Sequence, residues 1–381
     1  MIAVIADDLT GAAELAGIGL TYHLKTEINT IVDPECDADL LIIATDTRSM
    51  PVDEAKKVIT QITQQLLKLT PRLIFKKIDS VLRGHVLDEI ESQMAASNLN
   101  RTLIVPGNPS HGKTIIDSVY YYQGQPVHLS NYANDPAFPV KSSDVKTMLR
   151  ANGHLQILKS HQPIPAQGIT LGEVAIEADY DRWVEKIEDN TLVAGSSGLF
   201  SSLVNYLRPV PSGANPKNES FKTPRLFVFG STFNKDSHQI ADGLLHQIPV
   251  MYLSADVIFE GDGASVLADD YIKAVADTLQ QNGSCIMAVH PDATTKQSIA
   301  PCALTNKMGL LVNRIHQKTP LQQLLIEGGA TATAILQQLH IFKLYPIKQI
   351  APGVISTSIP GNNQLTITLK PGSYQWPAEV W

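Results

Sequence analysis

Only three cysteines, Cys36, Cys285 and Cys302, occur in 381 residues, and their wide spacing suggests neither a disulfide framework nor a zinc motif. No apolar run approaches the ~20 residues that a membrane helix needs, so no membrane partner is expected. No Lys/Arg block offsets a net charge of -7, which argues against nucleic acid as a main partner. The 11 histidines are scattered without an HxxxH or HExxH pattern, so a zinc site has no support. A GxSxG elbow is missing, and no GxGxxG follows the first strand, which removes an α/β-hydrolase and an N-terminal dinucleotide site. The start lacks a basic segment followed by an apolar one and runs straight into a strand. A cytoplasmic protein is the default expectation.

What is present is a globular balance, with 44% hydrophobic and 18% charged residues. The length suits two domains, each able to bury a core. Strand-like and helix-like stretches alternate: strands at 2–6, 40–44, 72–77, 102–105 and 192–194, helices at 52–69, 84–96 and from about 200. That alternation predicts βαβ units and a largely parallel sheet. YYYQGQPVHL (120–129) reads instead as a hairpin around Gln123-Gly124. The stretch RPVPSGANPKNESFKTP (208–224), with four prolines, is a linker by composition. Beyond it the pattern restarts. Strands are predicted at 226–230, 250–253, 284–289 and 324–326, helices at 234–246, 264–281, 303–317 and after Gly329, and two closing β segments at 345–355 and 364–370. The expected fold is therefore α/β in two domains, each with a mostly parallel sheet flanked by helices, and an active site in the cleft between them. The expected boundaries are 1–210, a linker at 211–224, and 225–381.

MIAVIADDLTG (1–11) is the most informative stretch. Residues 2–6 are apolar without alternation, as a strand buried on both faces is. Two carboxylates, Asp7 and Asp8, then stand where the strand hands over to a helix, at the sheet edge where ligands bind. One acid can cap the helix. The second needs another explanation, because a buried unpaired carboxylate costs several kcal/mol. TDTRS (45–49) ends another strand with Asp46 and Arg48. FKKIDSVLRG (75–84) ends a third with Lys77, Asp79, Ser80 and Arg83. Such convergence suits a small polyhydroxylated acid: Arg or Lys pairs its carboxylate and Asp accepts from its hydroxyls. Surface salt bridges at helix starts are the plainer alternative, each worth under ~1 kcal/mol.

GNPSHGKT (107–114) fits the phosphate-loop pattern GxxxxGK[ST], which would put Lys113 on phosphates and Thr114 on magnesium. That reading requires a helix to start at the lysine. TIIDSVYYYQG follows instead, β-branched and aromatic, and Pro109 lacks a backbone amide. A turn between two sheet segments fits better. The second half offers small turns after strands: FGST (229–232), EGGAT (327–331), APGV (351–354) and LKPGS (369–373). Glycines there let a backbone approach a ligand, and amides at helix starts favour phosphate oxygens.

Taken in order, IADDLTGA, TDTRS, KKIDSVLRG, NPSHGKT with YYYQGQPV, DPAFPV (135–140), AGSSGL, FGST, GGAT, APGV and LKPG resemble the four-carbon acid sugar kinase family over nearly the whole chain. The resemblance explains GNPSHGKT as a proline-glycine turn, where the family usually has Arg in place of Lys113. It implies a role in carbohydrate metabolism: a substrate-binding N-terminal domain, a nucleotide-binding C-terminal domain, and phosphate transfer from ATP, with Mg2+, to a hydroxyl of a threonate-, erythronate- or 3-oxo-tetronate-type acid. The implied sugar-acid contacts are Asp7, Asp8, Arg48, Lys77, Ile78, Asp79, Ser80 and Arg83. The implied nucleotide contacts are Ser231, Gly328, Gly329, Ala330, Thr331, Gly353 and Gly372. No protein ligand for magnesium is indicated. Two turns depart from the family pattern: Ala330 stands where an acid is frequent, and PGSYQW replaces a GGFG-like turn. One of Asp7 and Asp8, with Asp8 favoured, is expected to orient or deprotonate the attacking hydroxyl. The alternatives are a non-catalytic sugar-acid binder, a phosphate-loop NTPase using Gly107 to Thr114, and an α/β protein with lyase or isomerase chemistry. A homo-oligomer is compatible with all of them.

Overall fold

The computed structural model describes residues 1–135, 138–151, 153, 155–208, 221–230, 238–259, 265–293, 299–372 and 374–381. These fall into two compact units, 1–213 and 214–381. The expected linker at 211–224 lies largely outside the described residues, as do Ser231 and the start of the helix expected at 234–246. Among the described residues no helix is long and apolar enough to cross a membrane.

Unit 1 runs β1 (Ile2–Ala6), α1 (Leu9–Thr21), β2 (Thr26–Asn29), β3 (Leu40–Ala44), α2 (Val52–Lys68), β4 (Leu73–Lys77), α3 (Val86–Ser97) and β5 (Arg101–Val105). A small antiparallel sheet follows: β6 (Lys113–Ile116), β7 (Val119–Tyr122) and β8 (Gln125–Pro126). Then come α4 (Val145–Met148), β9 (Leu155–Leu158), β10 (Gly168–Gly172), α5 (Ala178–Val184), β11 (Thr191–Gly195) and α6 (Ser197–Leu207). The main sheet has the order β2-β3-β1-β4-β11-β5-β10-β9, with every neighbouring pair parallel. β1 is buried at all five positions, because helices cover both faces of a parallel sheet. On one face Ala3, Ile5, Leu41 and Ile43 pack with Ile59, Ile62 and Leu66 of α2, the apolar stripe of a strongly amphipathic helix.

From β1 the chain passes to β2 and β3 on one side and then to β4 on the other, so the sheet reverses its winding direction at β1. Crevices that bind ligands open at the carboxyl ends of strands around such a switch point. Ala6 is in register with Ala44 and with Lys77, so the segments leaving β3, β1 and β4 start level with one another.

Unit 2 runs β12 (Arg225–Phe229), α7 (His238–Leu245), β13 (Val250–Leu253), α8 (Ala255–Phe259), α9 (Val266–Asn282), β14 (Ser284–Val289), α10 (Pro301–Lys318), β15 (Gln323–Glu327), α11 (Gly329–Gln338), β16 (Lys343–Ala351), β17 (Val354–Ile359) and β18 (Asn362–Lys370). Its sheet order is β13-β14-β12-β15-β18-β17-β16, parallel up to β18 and antiparallel beyond. Phe227, Phe229, Ile248, Ile286 and Trp376 form its core. Here the winding reverses at β12, between β14 and β15.

Several elements differ from expectation. The single β segment expected at 345–355 is two strands, β16 and β17, because Pro352-Gly353 turns the chain and Gly353 takes φ +74°. β2, β9, β10 and α5 were not expected. Each is short, and parallel pairing rather than alternation of side chains makes a strand of TEIN or LQIL. After Lys113 the chain forms β6, and Asn108 and Lys113 pair through their backbones. The helix that a phosphate loop requires is not there.

Candidate functional site

Three neighbouring strand ends of unit 1 bring Asp7 and Asp8, Asp46 and Arg48, and Asp79, Ser80 and Arg83 into one cluster. Arg48 is its centre. Its Nε donates to Asp7 Oδ2 at 2.9 Å and its other guanidinium nitrogens lie 2.8 Å from Asp7, 3.3 Å from Asp8 and 3.5 Å from Asp79. Arg83 grips Asp79 with two parallel bonds of 2.8 and 2.7 Å, the bidentate geometry that suits a planar guanidinium, and reaches Asp135 at 2.6 Å.

The two N-terminal aspartates are not equivalent. Asp8 caps α1: its Oδ1 accepts from the Gly11 amide at 2.8 Å and its Oδ2 from the Thr10 hydroxyl at 2.6 Å. Burial pushes the Asp8 carboxyl up, but Arg48, Lys77, Thr10 and Gly11 outweigh it and hold Asp8 below the usual range. Asp7 is more deeply buried, and its Oδ1 accepts no hydrogen bond. Burial, with Asp8 next to it, keeps Asp7 above its ordinary value despite Arg48. Burial likewise opposes ionisation of Asp79, but Arg83 and Arg48 keep its carboxyl well below the usual range.

Lys76 and Lys77 alternate across β4. Lys76, wholly buried, pairs with Glu89 of α3 at 2.6 Å, while Lys77 faces α1 and lies 3.7 Å from Glu14. Ile78 was expected to touch substrate, but its side chain sits in the apolar core beside Val81 and Ile104. Only its backbone is left for a polar role, and its carbonyl already accepts from Lys77 Nζ at 2.9 Å.

Asp46 of TDTRS and Lys113 join the cluster, together with Glu14 and Tyr132, which the sequence did not single out. Asp46 takes φ +55°, uncommon for a non-glycine residue, and burial together with Asp8 raises its carboxyl to about 6. Glu14 accepts from Ser197 at 2.7 Å, and Ser197 in turn accepts from Asn108 at 3.1 Å. Tyr132 places its ring under Arg83 and Lys113, at 5.4 and 5.5 Å. Lys113, met in the sequence as a phosphate-loop lysine, donates instead to Ser80 Oγ at 2.7 Å. Asp46 was visible in TDTRS; Glu14 and Tyr132 carry no local signal.

The expected nucleotide residues lie in unit 2, where backbone rather than charge is on offer. Gly328 adopts φ +92° as the N-cap of α11, a conformation that L side chains rarely take. It has no side chain to cap the helix, so the first-turn amides of Gly329, Ala330 and Thr331 have no side-chain acceptor from the cap. Thr331 is buried and packs against Gly230, whereas Ala330 is exposed. The Gly328 amide donates to the Lys370 carbonyl at 2.9 Å. Lys370 pairs with Glu327 at 3.2 Å, both buried, and its ammonium also holds the carbonyls of Pro371 (2.8 Å) and Tyr374. The turn carrying Gly372 is thereby pinned to β18. Gly353 packs against the Tyr374 ring, so it joins Gly328 and Gly372 around one segment. Ser231 lies outside the described residues. Among those described, no group of three or more His, Cys, Asp or Glu could hold a metal ion.

Two family models match the chain: a sugar-binding N-terminal domain over residues 2–203 and a nucleotide-binding C-terminal domain over residues 226–374. Similar proteins include a D-threonate kinase of Salmonella typhimurium, 25% identical over 87% of this chain and 85% of its own. A 3-oxo-tetronate kinase of Pseudomonas savastanoi is 23% identical over 98% and 94%. Solved structures of proteins from Haemophilus influenzae (TM-score 0.73, covering 98% of this chain and 97% of its own) and Salmonella typhimurium (0.75, 98% and 96%) share the fold at 20% identity.

Proposed function

The chain belongs to the four-carbon acid sugar kinase family, and on that premise we propose that it transfers the terminal phosphoryl group of ATP to a hydroxyl of a four-carbon sugar acid of the threonate, erythronate or 3-oxo-tetronate type. The observation that carries this reading is the convergence of Asp7, Asp8, Arg48, Asp79 and Arg83 at level strand ends around the winding switch of unit 1. Carboxylates there can accept from hydroxyls, and cations can pair with an acid.

Phosphoryl transfer depends mainly on positioning and charge neutralisation. Asp8, the less buried of the pair and held ionised, is the acceptor for the reacting hydroxyl. Asp7 acts through Arg48, whose guanidinium it anchors, and is a positioning residue. In unit 2 the first-turn amides of α11 and the Gly372 turn suit phosphate oxygens. No cluster of described residues would hold magnesium by itself, so it would be supplied with the nucleotide, where it would neutralise phosphate charge.

An ATP-consumption assay over a panel of four-carbon acids tests the reading. One or more acids should give saturable, acid-dependent turnover, and matched neutral polyols should not. Acid binding by calorimetry with no ATP consumption across the panel would leave a sugar-acid binder instead.

A further inference from the structure

Five cations stand in the cluster of unit 1, and four of them have a carboxylate within 4 Å. Arg48 has Asp7, Asp8 and Asp79; Arg83 has Asp79 and Asp135; Lys76 has Glu89; Lys77 has Glu14. Lys113 has none among the described residues. Its ammonium donates one hydrogen bond, to Ser80 Oγ at 2.7 Å, and lies over the Tyr132 ring at 5.5 Å. An ammonium carries three N–H groups, so two remain after the bond to Ser80. Ser80 Oγ accepts from Lys113, and no acceptor among the described residues takes its own hydrogen. Burial holds Lys113 below the usual lysine range; the more distant carboxylates of Asp79 and Glu14 oppose that shift, and Arg83 and Lys77 add to it.

A half-buried ammonium and a hydroxyl, side by side and both with hydrogens to give, match the two oxygens of a carboxylate. We propose that Lys113 and Ser80 form the subsite for the carboxylate of the sugar acid, with Tyr132 holding the ammonium in place. This rests on the sugar-acid reading above and deepens it: the acid end of the substrate lies at Lys113, so its hydroxyls extend towards Asp79, Asp8 and Arg48. It also gives the lysine of GNPSHGKT a role towards the acceptor rather than towards ATP.

The test compares wild type with Lys113→Met, which keeps the stem and removes the charge, and Lys113→Arg, which keeps the charge. Each is titrated calorimetrically with threonate, erythronate and the neutral polyols threitol and erythritol, and KM is measured separately for acid and ATP. Lys113→Met should weaken acid binding about 10- to 100-fold, the loss expected for a hydrogen bond to a charged group. The preference for acid over polyol should shrink by a similar factor, while KM for ATP stays within about twofold of wild type. Lys113→Arg should retain most of the affinity. A merely structural lysine would not move the acid-to-polyol ratio. Unchanged acid binding in Lys113→Met, with turnover intact, overturns this subsite and leaves the kinase reading standing. Lysine-dependent acid binding without ATP consumption overturns the kinase reading and leaves the subsite. A selective rise in KM for ATP, or no acid binding by wild type, overturns the subsite outright.

Discussion

At the strand ends of unit 1 stand side chains: Asp7, Asp8, Arg48, Asp79 and Arg83, tied to one another by ion pairs of 2.7 to 3.5 Å, with Asp46 beside them. At the corresponding ends of unit 2 stand Gly230, Gly328 and Gly372, and the buried Glu327–Lys370 pair lies beneath them, holding backbone carbonyls. Both units reverse their winding at their first strand, so the switch point is shared and the chemistry at the strand ends differs. Side chains suit a ligand whose hydroxyls must be told apart by position. Backbone amides suit a phosphate chain, whose oxygens are many and alike. The difference predicts that unit 1 is sensitive to charge and unit 2 to backbone conformation.

The largest effect should come from Asp8→Asn. Asparagine retains the N-cap to Gly11, so folding should be spared while turnover falls about 10²–10⁴-fold, the usual cost of a lost acid–base partner. Steady-state kinetics with a good acid substrate checks this; an Asp7→Asn enzyme that loses more turnover than Asp8→Asn would exchange the two roles.

Next in size is Arg48→Met. It leaves Asp7, Asp8 and Asp79 without their shared cation, and removing one partner of a buried ion pair costs about 3–5 kcal/mol. Denaturant unfolding of the variant should show a loss of that order at neutral pH. The same charge deletion at an exposed pair such as Lys159–Asp117 should leave the unfolding midpoint nearly unmoved.

Gly328→Ala tests the other half. A side chain forced to φ +92° costs about 1–3 kcal/mol. The variant should lose stability by about that amount and raise KM for ATP, with KM for the acid unmoved. A shift in acid affinity instead would erase the division of labour between the units.

The smallest effect concerns pH. The Asp46 carboxyl is raised from 3.8 to about 6, so the folded state binds a proton more readily than the unfolded chain. Its contribution to stability is full below about pH 4 and is lost as pH rises through 6. Asp46→Asn should therefore stabilise the protein by about 1–2 kcal/mol at pH 8, after allowance for solvent access, and by nothing measurable at pH 4. Thermal melts at the two pH values distinguish this from a pH-independent gain.

The strands that carry the site were legible because burial on both faces leaves an unbroken apolar run: residues 2–6 and 40–44 of β1 and β3 match their expected limits. The charged ends of those strands were legible too, since polar residues interrupt such runs abruptly. β2 and β9 were not, because TEIN and LQIL become strands through pairing with distant neighbours rather than through pattern. Glu14 carries no local signal in the sequence, and only the packing of α1 beside β4 and α6 brings it to Lys77 and Ser197. Tyr132 lies in a polar stretch with no periodic signal. Lys113 was visible, but inside a motif that pointed to a different ligand.

What the sequence determined by itself is local: which runs are strands, where acids and bases interrupt them, and which turns are glycine-rich, because these depend on side-chain burial and backbone freedom within a few residues. Tertiary structure decided which of those interruptions meet. Asp8 pairs with a residue 40 positions away and Arg83 with one 52 away, and such partners are chosen by strand order and register. It also decided the state of each charge. Asp7 and Asp8 are identical and adjacent in the chain, yet one is raised and the other lowered, because burial and neighbouring cations act through space.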